Sequence, residues 1–290
     1  ARITGIGVRQ DNLVFAGCTP CQYWSKISTS RGKSVRSKAL LGVFQRYVLE
    51  FLPGYVVLEN VPGLEKRPEE SGLSRFVAAL EEQGYCVAHR NLLLYRFGIP
   101  QKRERFILLA TRIASSDEPP RIGLPPPIVN GNRYPPGTTV REVIGVENGF
   151  FAIPAGHLDP SDFMHTASGL STNNLERIRR TPRDGGTRAA WREDRDLQLP
   201  AYKGRDGCFS DVYGRMKWDE PSPTITTRFN SLSNGRFGHP EEDRAISLRE
   251  GATLQTFPTS FAFHGSLQER ARQIGNAVPP AFARLLGTLL

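Results

Sequence analysis

The sequence predicts an α/β protein: a doubly wound, mostly parallel sheet joined to a smaller, irregular, mostly β domain. Three observations carry this. Over the first 110 residues short apolar runs alternate with segments of helical period, the pattern of strand–helix units in a parallel sheet. Within residues 115–137 stand Pro119, Pro120, Pro125, Pro126, Pro127, Pro135 and Pro136, which read as a linker. Beyond it, to about residue 235, the chain is rich in Gly, Arg and Asn and shows no sustained helical period. With 290 residues, 39% hydrophobic and 23% charged, the chain can bury a large core.

The elements follow in order. Leu13 to Ala16 is a short apolar run, read as a buried strand that Gly17 ends. A tight turn then carries Thr19, Pro20, Cys21 and Gln22, stiffened by the fixed φ of Pro20. Residues 26–38 are a polar loop. Leu40, Leu41, Val43, Phe44, Tyr47, Val48 and Phe51 recur at helical spacing until Pro53-Gly54 stops them. Tyr55 to Leu58 is a second strand, followed by Glu59-Asn60-Val61-Pro62-Gly63. Leu73, Phe76, Val77 and Leu80 form a second amphipathic helix, closed by Gly84. Residues 85–94 and 106–110 read as strands, the last antiparallel at the end of the sheet. Helical spacing returns at 245–257, and a final helix runs to Leu290. The expected layout is residues 1–114 as a catalytic-type α/β domain, 115–137 as linker, 138–239 as a second domain, and 240–290 as a return to the first.

No run of 18 apolar residues is present, so no membrane span is expected, and the N-terminus lacks the apolar core of a signal peptide. Four cysteines (18, 21, 86 and 208) do not make a disulfide scaffold, which points to a reducing, cytoplasmic compartment. The net charge of +9 favours a polyanionic partner. Lys26, Arg31, Lys33, Arg36, Lys38 and Arg46 follow one another with no acid between them. A second basic stretch holds Arg177, Arg179, Arg180, Arg183, Arg188, Arg192 and Arg195, diluted by acids. Both fit phosphate contacts, though either stretch alone reads first as an ordinary solvated face. The five histidines show no metal-ligand spacing, and no metal site is expected.

Three polar groups, Cys21, Glu59 and Arg105, fall at or beyond strand ends. Parallel strands bring their carboxyl ends to one edge, where Cys21 and Glu59 can meet. Singly, each has an ordinary reading: a small buried thiol, a loop carboxylate, a surface ion pair.

Together they carry a resemblance. Gly17-x-x-Pro20-Cys21-Gln22, Glu59-Asn60-Val61, Gln101-x-Arg103-x-Arg105, Arg249-Glu250 with Leu254-Gln255-x-Phe257-Pro258, and Gln273-x-Gly275-Asn276-x-Val278-Pro279 resemble the successive motifs of cytosine-C5 DNA methyltransferases, in the same order. Asp219 to Thr227 is similar to the family's lead out of its target-recognition region. The resemblance implies a methyltransferase-type sheet, a target-recognition domain over 138–239, and S-adenosylmethionine as methyl donor. It implies Cys21 as a nucleophile towards cytosine C6, Glu59 on ring N3, Arg105 on the base carbonyl, and Asn60 positioning the Cys21 turn. Pro20, Leu40, Asn276 and Val278 would line the donor site. Gln22, Ser25, Lys26, Ser28, Arg31 and Lys33 would contact duplex DNA. Arg103, Thr224, Thr226 and Arg228 would join them.

The sequence also departs from the family. The Phe-x-Gly-x-Gly loop after the first strand is absent, as are the acidic residues that follow the next two strands. The expectation is a sheet lacking its N-terminal strands, completed by a second polypeptide or by a longer chain. Three alternatives stay open: a thioredoxin-like use of Cys18-Thr-Pro-Cys21, a recognition subunit without catalysis, and RNA methylation within the same family.

Overall fold

A computed structural model of the chain describes residues 5–18, 40–115, 117–131, 133–161, 163–199 and 209–290. They divide into two compact units, Ala1–Leu93 with Glu104–Pro126 and Leu285–Leu290, and Leu94–Arg103 with Pro127–Arg284. Among the described residues no helix is long and apolar enough to cross a membrane.

The first unit holds strands β1 (Val14–Cys18), β2 (Tyr55–Asn60), β3 (Cys86–Leu93) and β4 (Glu104–Thr111), with helices α1 (Leu40–Phe51) and α2 (Leu73–Glu82). Strand order is β1-β2-β4-β3. β1 and β2 are parallel; β2–β4 and β3–β4 are antiparallel. The expected doubly wound, mostly parallel sheet is therefore corrected to a mixed one. Only ten residues, 94–103, separate β3 from β4, and a parallel crossover needs a dozen or more.

The apolar periods read from the sequence become one layer of core. Val56 and Leu58 of β2 and Phe106, Leu108 and Ala110 of β4 alternate onto the face that receives Leu41 and Val48 of α1 and Leu73, Phe76 and Leu80 of α2. Gly17 is needed in β1, because a Cβ there would lie 2.9 Å from the Phe44 ring. β1 is an edge strand whose Val14 is 43% exposed.

In the second unit the mostly β expectation for 138–239 is corrected by helices α3 (Val140–Ile144) and α4 (Thr172–Arg180). Its described residues also hold helices α5 (Leu248–Leu254), where helical spacing was expected, and α6 (Leu267–Asn276). Pairing of β type is limited there to isolated bridges such as Arg215↔Gly238 and Gly238↔Ala245. One core gathers Met216, Ile225, Phe229, Leu248, Leu254 and Ile274; another gathers Ile178, Trp191, Tyr213 and Leu232. Loops that form no ladder must still satisfy their carbonyls, and here buried arginines do so. Arg215, 1% exposed, donates to the carbonyls of Thr181, Ile178 and His239 at 3.0, 2.7 and 3.0 Å and to Asp243. Arg177 donates to the Leu197 carbonyl at 2.7 Å and lies over the Trp191 and Tyr213 rings. Arg244, fully buried, forks onto both oxygens of Glu250 at 2.7 Å and onto Glu242 at 3.0 Å.

Glu250 is likewise fully buried. Burial alone would raise its pKa, but the Arg244 guanidinium outweighs burial by charge and hydrogen bond and takes it from 4.5 down to about 2. Because the folded value lies below the unfolded one, this pair stabilises the fold above pH 4.5 and loses its contribution as pH falls towards about 2. Replacing Arg244 by Met leaves a buried carboxylate unpaired and should lower unfolding stability at pH 7 by about 3–5 kcal/mol. Urea denaturation measures this, and adding Glu250→Gln to that variant should recover much of the loss.

Candidate active site

The candidate site of the first unit lies where β2 and β4 run side by side. Glu59 is opposite Ile107 in the ladder. Arg105, two residues before Ile107, shares its face by strand alternation. The Arg105 Nε donates to the Glu59 carboxylate at 2.8 Å, and Nη1 donates to the Glu104 carbonyl at 2.8 Å. Both side chains are mostly sheltered, 15% and 14% exposed, so the pair is screened far less than a surface ion pair. It still reaches solvent, and a planar guanidinium beside a carboxylate can present donors and an acceptor to one flat ligand edge.

On the other side of β2, Cys18 at the end of β1 is the register partner of Glu59. Asn60 points to the opposite face. It is 1% exposed, and its Oδ1 accepts from the Val61 amide at 2.8 Å, turning the chain as it leaves β2. Pro20, Cys21, Gln22, Ser25, Lys26, Ser28, Arg31 and Lys33 lie outside the described residues. Leu40 opens α1 and is half-buried.

The remaining expected site residues belong to the second unit. Asn276 ends α6 exposed, and Val278 is half-buried. Thr224 and Thr226 are half-buried and Arg228 is exposed; the Thr224 hydroxyl donates to the Lys102 carbonyl at 3.3 Å. Arg103, expected on DNA, is 3% exposed and donates to the carbonyls of Ile225 and Ala277. Its guanidinium faces the protein. The second basic stretch divides in the same way. Arg177 and Arg188 are buried, and Arg180 is held by Glu176 and Asp194 at 2.7 and 2.6 Å. Arg179, Arg183, Arg192 and Arg195 remain exposed.

Sequence reasoning missed one cluster. Ligand atoms of His239, Glu242 and Glu250 lie within 4.8 Å of one another. Arg244 already occupies the space between the carboxylates. His239 Nδ1 accepts from the backbone amides of Glu241 and Glu242 at 3.3 and 3.0 Å, so its proton sits on Nε2, towards Glu242. Burial, with Arg244 adding to it, holds the His239 pKa low against the nearby glutamates. The cluster is an arginine-centred charge network, with a guanidinium where a cation would stand. Its signal in the sequence is the run His239-Pro-Glu-Glu-Asp-Arg244.

The comparisons agree on a family. A family model for C-5 cytosine-specific DNA methylase matches residues 7–289. The Type II methylase M.HgiDII of Herpetosiphon aurantiacus is 40% identical over 278 residues, covering 94% of this chain and 74% of that protein. The Type II methyltransferase M1.BsuMI of Bacillus subtilis is 31% identical over 287 residues, covering 96% of this chain and 60% of that protein. The crystal structure of Spodoptera frugiperda DNMT2 shares the fold, with a TM-score of 0.53 at 16% identity over 95% of this chain and 78% of that one.

The Glu59–Arg105 contact yields a direct expectation. A double-mutant cycle with Glu59→Gln and Arg105→Lys should give a coupling energy of about 1–3 kcal/mol in thermal or urea unfolding, well above the exposed Arg141–Asp219 pair treated in the same way.

Proposed function

The chain belongs to the C-5 cytosine-specific DNA methylases, a family of DNA cytosine-5 methyltransferase enzymes, and on that premise we propose that it methylates a cytosine held out of the duplex through a covalent adduct on Cys21. The observation that carries the reading is the Arg105–Glu59 pair at 2.8 Å, with Cys18 in register beside Glu59. Cys21 follows Cys18 by three positions, with two residues between them, a span of at most about 11 Å.

C5 of cytosine is too weak a nucleophile to take a methyl group unaided. The Cys21 thiolate adds to C6, and the C5=C6 electron pair moves onto C5, making it enamine-like. Glu59 holds ring N3 and supplies the proton that draws charge away from C6 as the sulfur–carbon bond forms. Arg105 keeps Glu59 oriented and offers its other donors to the base carbonyl. C5 then bonds to the methyl carbon as the donor's S–CH3 bond breaks and the thioether leaves. Water acting as base takes the C5 proton, the C–H electron pair re-forms C5=C6 as Cys21 leaves C6 as thiolate, and N3 returns its proton to Glu59. Taking the base out of the stack costs a few kcal/mol, for which Gln22, Ser25 and the basic residues Lys26, Arg31 and Lys33 provide phosphate and strand contacts.

S-adenosylmethionine supplies the methyl group as a sulfonium whose leaving group is a neutral thioether. Of the residues assigned to it, Asn276 is exposed and Leu40 and Val278 are half-buried, which leaves them able to touch a ligand. We infer that the donor site draws further residues from a segment that pairs with the edge of β1 that no described strand covers. Support comes from that edge and its exposed Val14, and from the missing Phe-x-Gly-x-Gly loop. This chain spans 74% and 60% of the lengths of the two relatives named above.

In the full-length enzyme, Cys21→Ser should abolish transfer of labelled methyl groups to duplex DNA, and Cys86→Ser should retain it. Equal activity of Cys21→Ser and the parent would end the mechanism. Glu59→Gln should lower kcat by about a hundredfold or more with little change in duplex affinity.

A further inference from the structure

Inside the second unit five hydrogen bonds close into a ring. Gln101 Nε2 donates to Gln255 Oε1 at 2.6 Å. Gln255 Nε2 donates to the Ala277 carbonyl at 3.2 Å. Arg103 Nη2 donates to that same carbonyl at 3.3 Å, and its Nη1 to the Ile225 carbonyl at 3.2 Å. The Ile225 amide returns to Gln101 Oε1 at 3.0 Å. Two further bonds brace it, from Gln101 Nε2 to the Leu254 carbonyl at 2.9 Å and from Gln255 Nε2 to the Ile274 carbonyl at 2.7 Å. Gln101 and Gln255 are fully buried and Arg103 is 3% exposed.

The ring grips two segments by their main chain. Ile225 is held through both its amide and its carbonyl, between Thr224 and Thr226. Ala277 is held through its carbonyl by two donors, between Asn276 and Val278. The two segments also touch. A Cβ on Gly275 would fall 2.3 Å from the Thr226 carbonyl carbon, so the end of α6 and the Thr226 backbone are packed without room for a side chain. The ring side chains are turned inward: the two amides and both Arg103 Nη atoms meet one another and main-chain groups. In such a network each bond fixes its neighbours, and loss of one group leaves others buried and unmet.

We propose that Gln101, Gln255 and Arg103 are positioning residues that fix the methyl-donor segment, Asn276 to Val278, and the DNA segment, Thr224 to Arg228, as one body. The inference rests on the donor and DNA roles assigned above to those two segments. Its content is that the two ligands share a support, so loosening the ring weakens both together.

The test uses the full-length enzyme with Gln101→Leu, Gln255→Leu and the conservative Arg103→Lys. Calorimetry with S-adenosylhomocysteine reads the donor site, and fluorescence anisotropy with a labelled mixed-sequence duplex reads the DNA site. Each ring variant should raise both dissociation constants about tenfold, with the mildest effect in Arg103→Lys, and both KM values should rise more than kcat falls. A ring that serves folding alone would lower the melting temperature and leave both affinities unchanged well below it; that result overturns the proposal, as does a variant that weakens one ligand only. Where a leucine variant fails to fold, Arg103→Lys decides. Asn276→Ala should weaken S-adenosylhomocysteine alone and Arg228→Ala the duplex alone. If both leave affinity unchanged, the segment assignments fail and the inference falls with them. If both act as expected while the ring variants do nothing, only the inference fails.

Discussion

Unpaired backbone carbonyls are the constraint on which the second unit depends. A chain folded mostly as loops and short helices has no ladder to absorb its peptide groups. Arg215, Arg177 and Arg244 meet that need with forked, permanently charged donors that reach several carbonyls at once. The carboxylates of Asp243, Glu242 and Glu250 balance their charge. Charge that a composition count assigns to the surface is in this way spent inside the fold. The Gln101 and Gln255 amides extend the same solution to neutral groups.

This explains what the sequence could and could not reveal. α1 was readable because Leu40 to Phe51 keeps a helical period until Pro53-Gly54, and the helix ends at Phe51. β2 and β4 were readable as apolar runs. The antiparallel direction of β4 was readable too, but not its place: it lies between β2 and β3 rather than at the end of the sheet, and β3 is the outer strand. The arginines were misleading for a physical reason. Arg103, Arg177 and Arg188 have the same side chain as the exposed Arg183 and Arg195, and only three-dimensional surroundings separate a carbonyl clamp from a phosphate contact. Of the site, Glu59 and Arg105 could be named from their places at strand ends, and they form an ion pair. The ring around Gln101 was hidden, because Gln101 and Arg103 lie more than 120 residues before their partners and mostly reach them through main-chain atoms.

The two units hold their side chains in place by different means. Glu59 and Arg105 project from paired strands in a mixed sheet, where the ladder limits their movement to side-chain torsions. Thr224, Thr226 and Arg228 sit on a loop that has no ladder, and its main chain is held at Ile225 by the Gln101 amide and the Arg103 guanidinium. Both routes give groups fixed before any ligand arrives, which spares binding the cost of ordering them.

The clasp on Ile225 has an evolutionary corollary. It acts on amide and carbonyl atoms, which every residue type except proline supplies. The Ile225 side chain is fixed by the core, but the half-buried Thr224 and Thr226 and the exposed Arg228 can change among descendants while the path of the chain stays on an unchanged trellis. Gly275 is the exception. It lies against the Thr226 backbone, and any heavier residue there would push the trellis out of line.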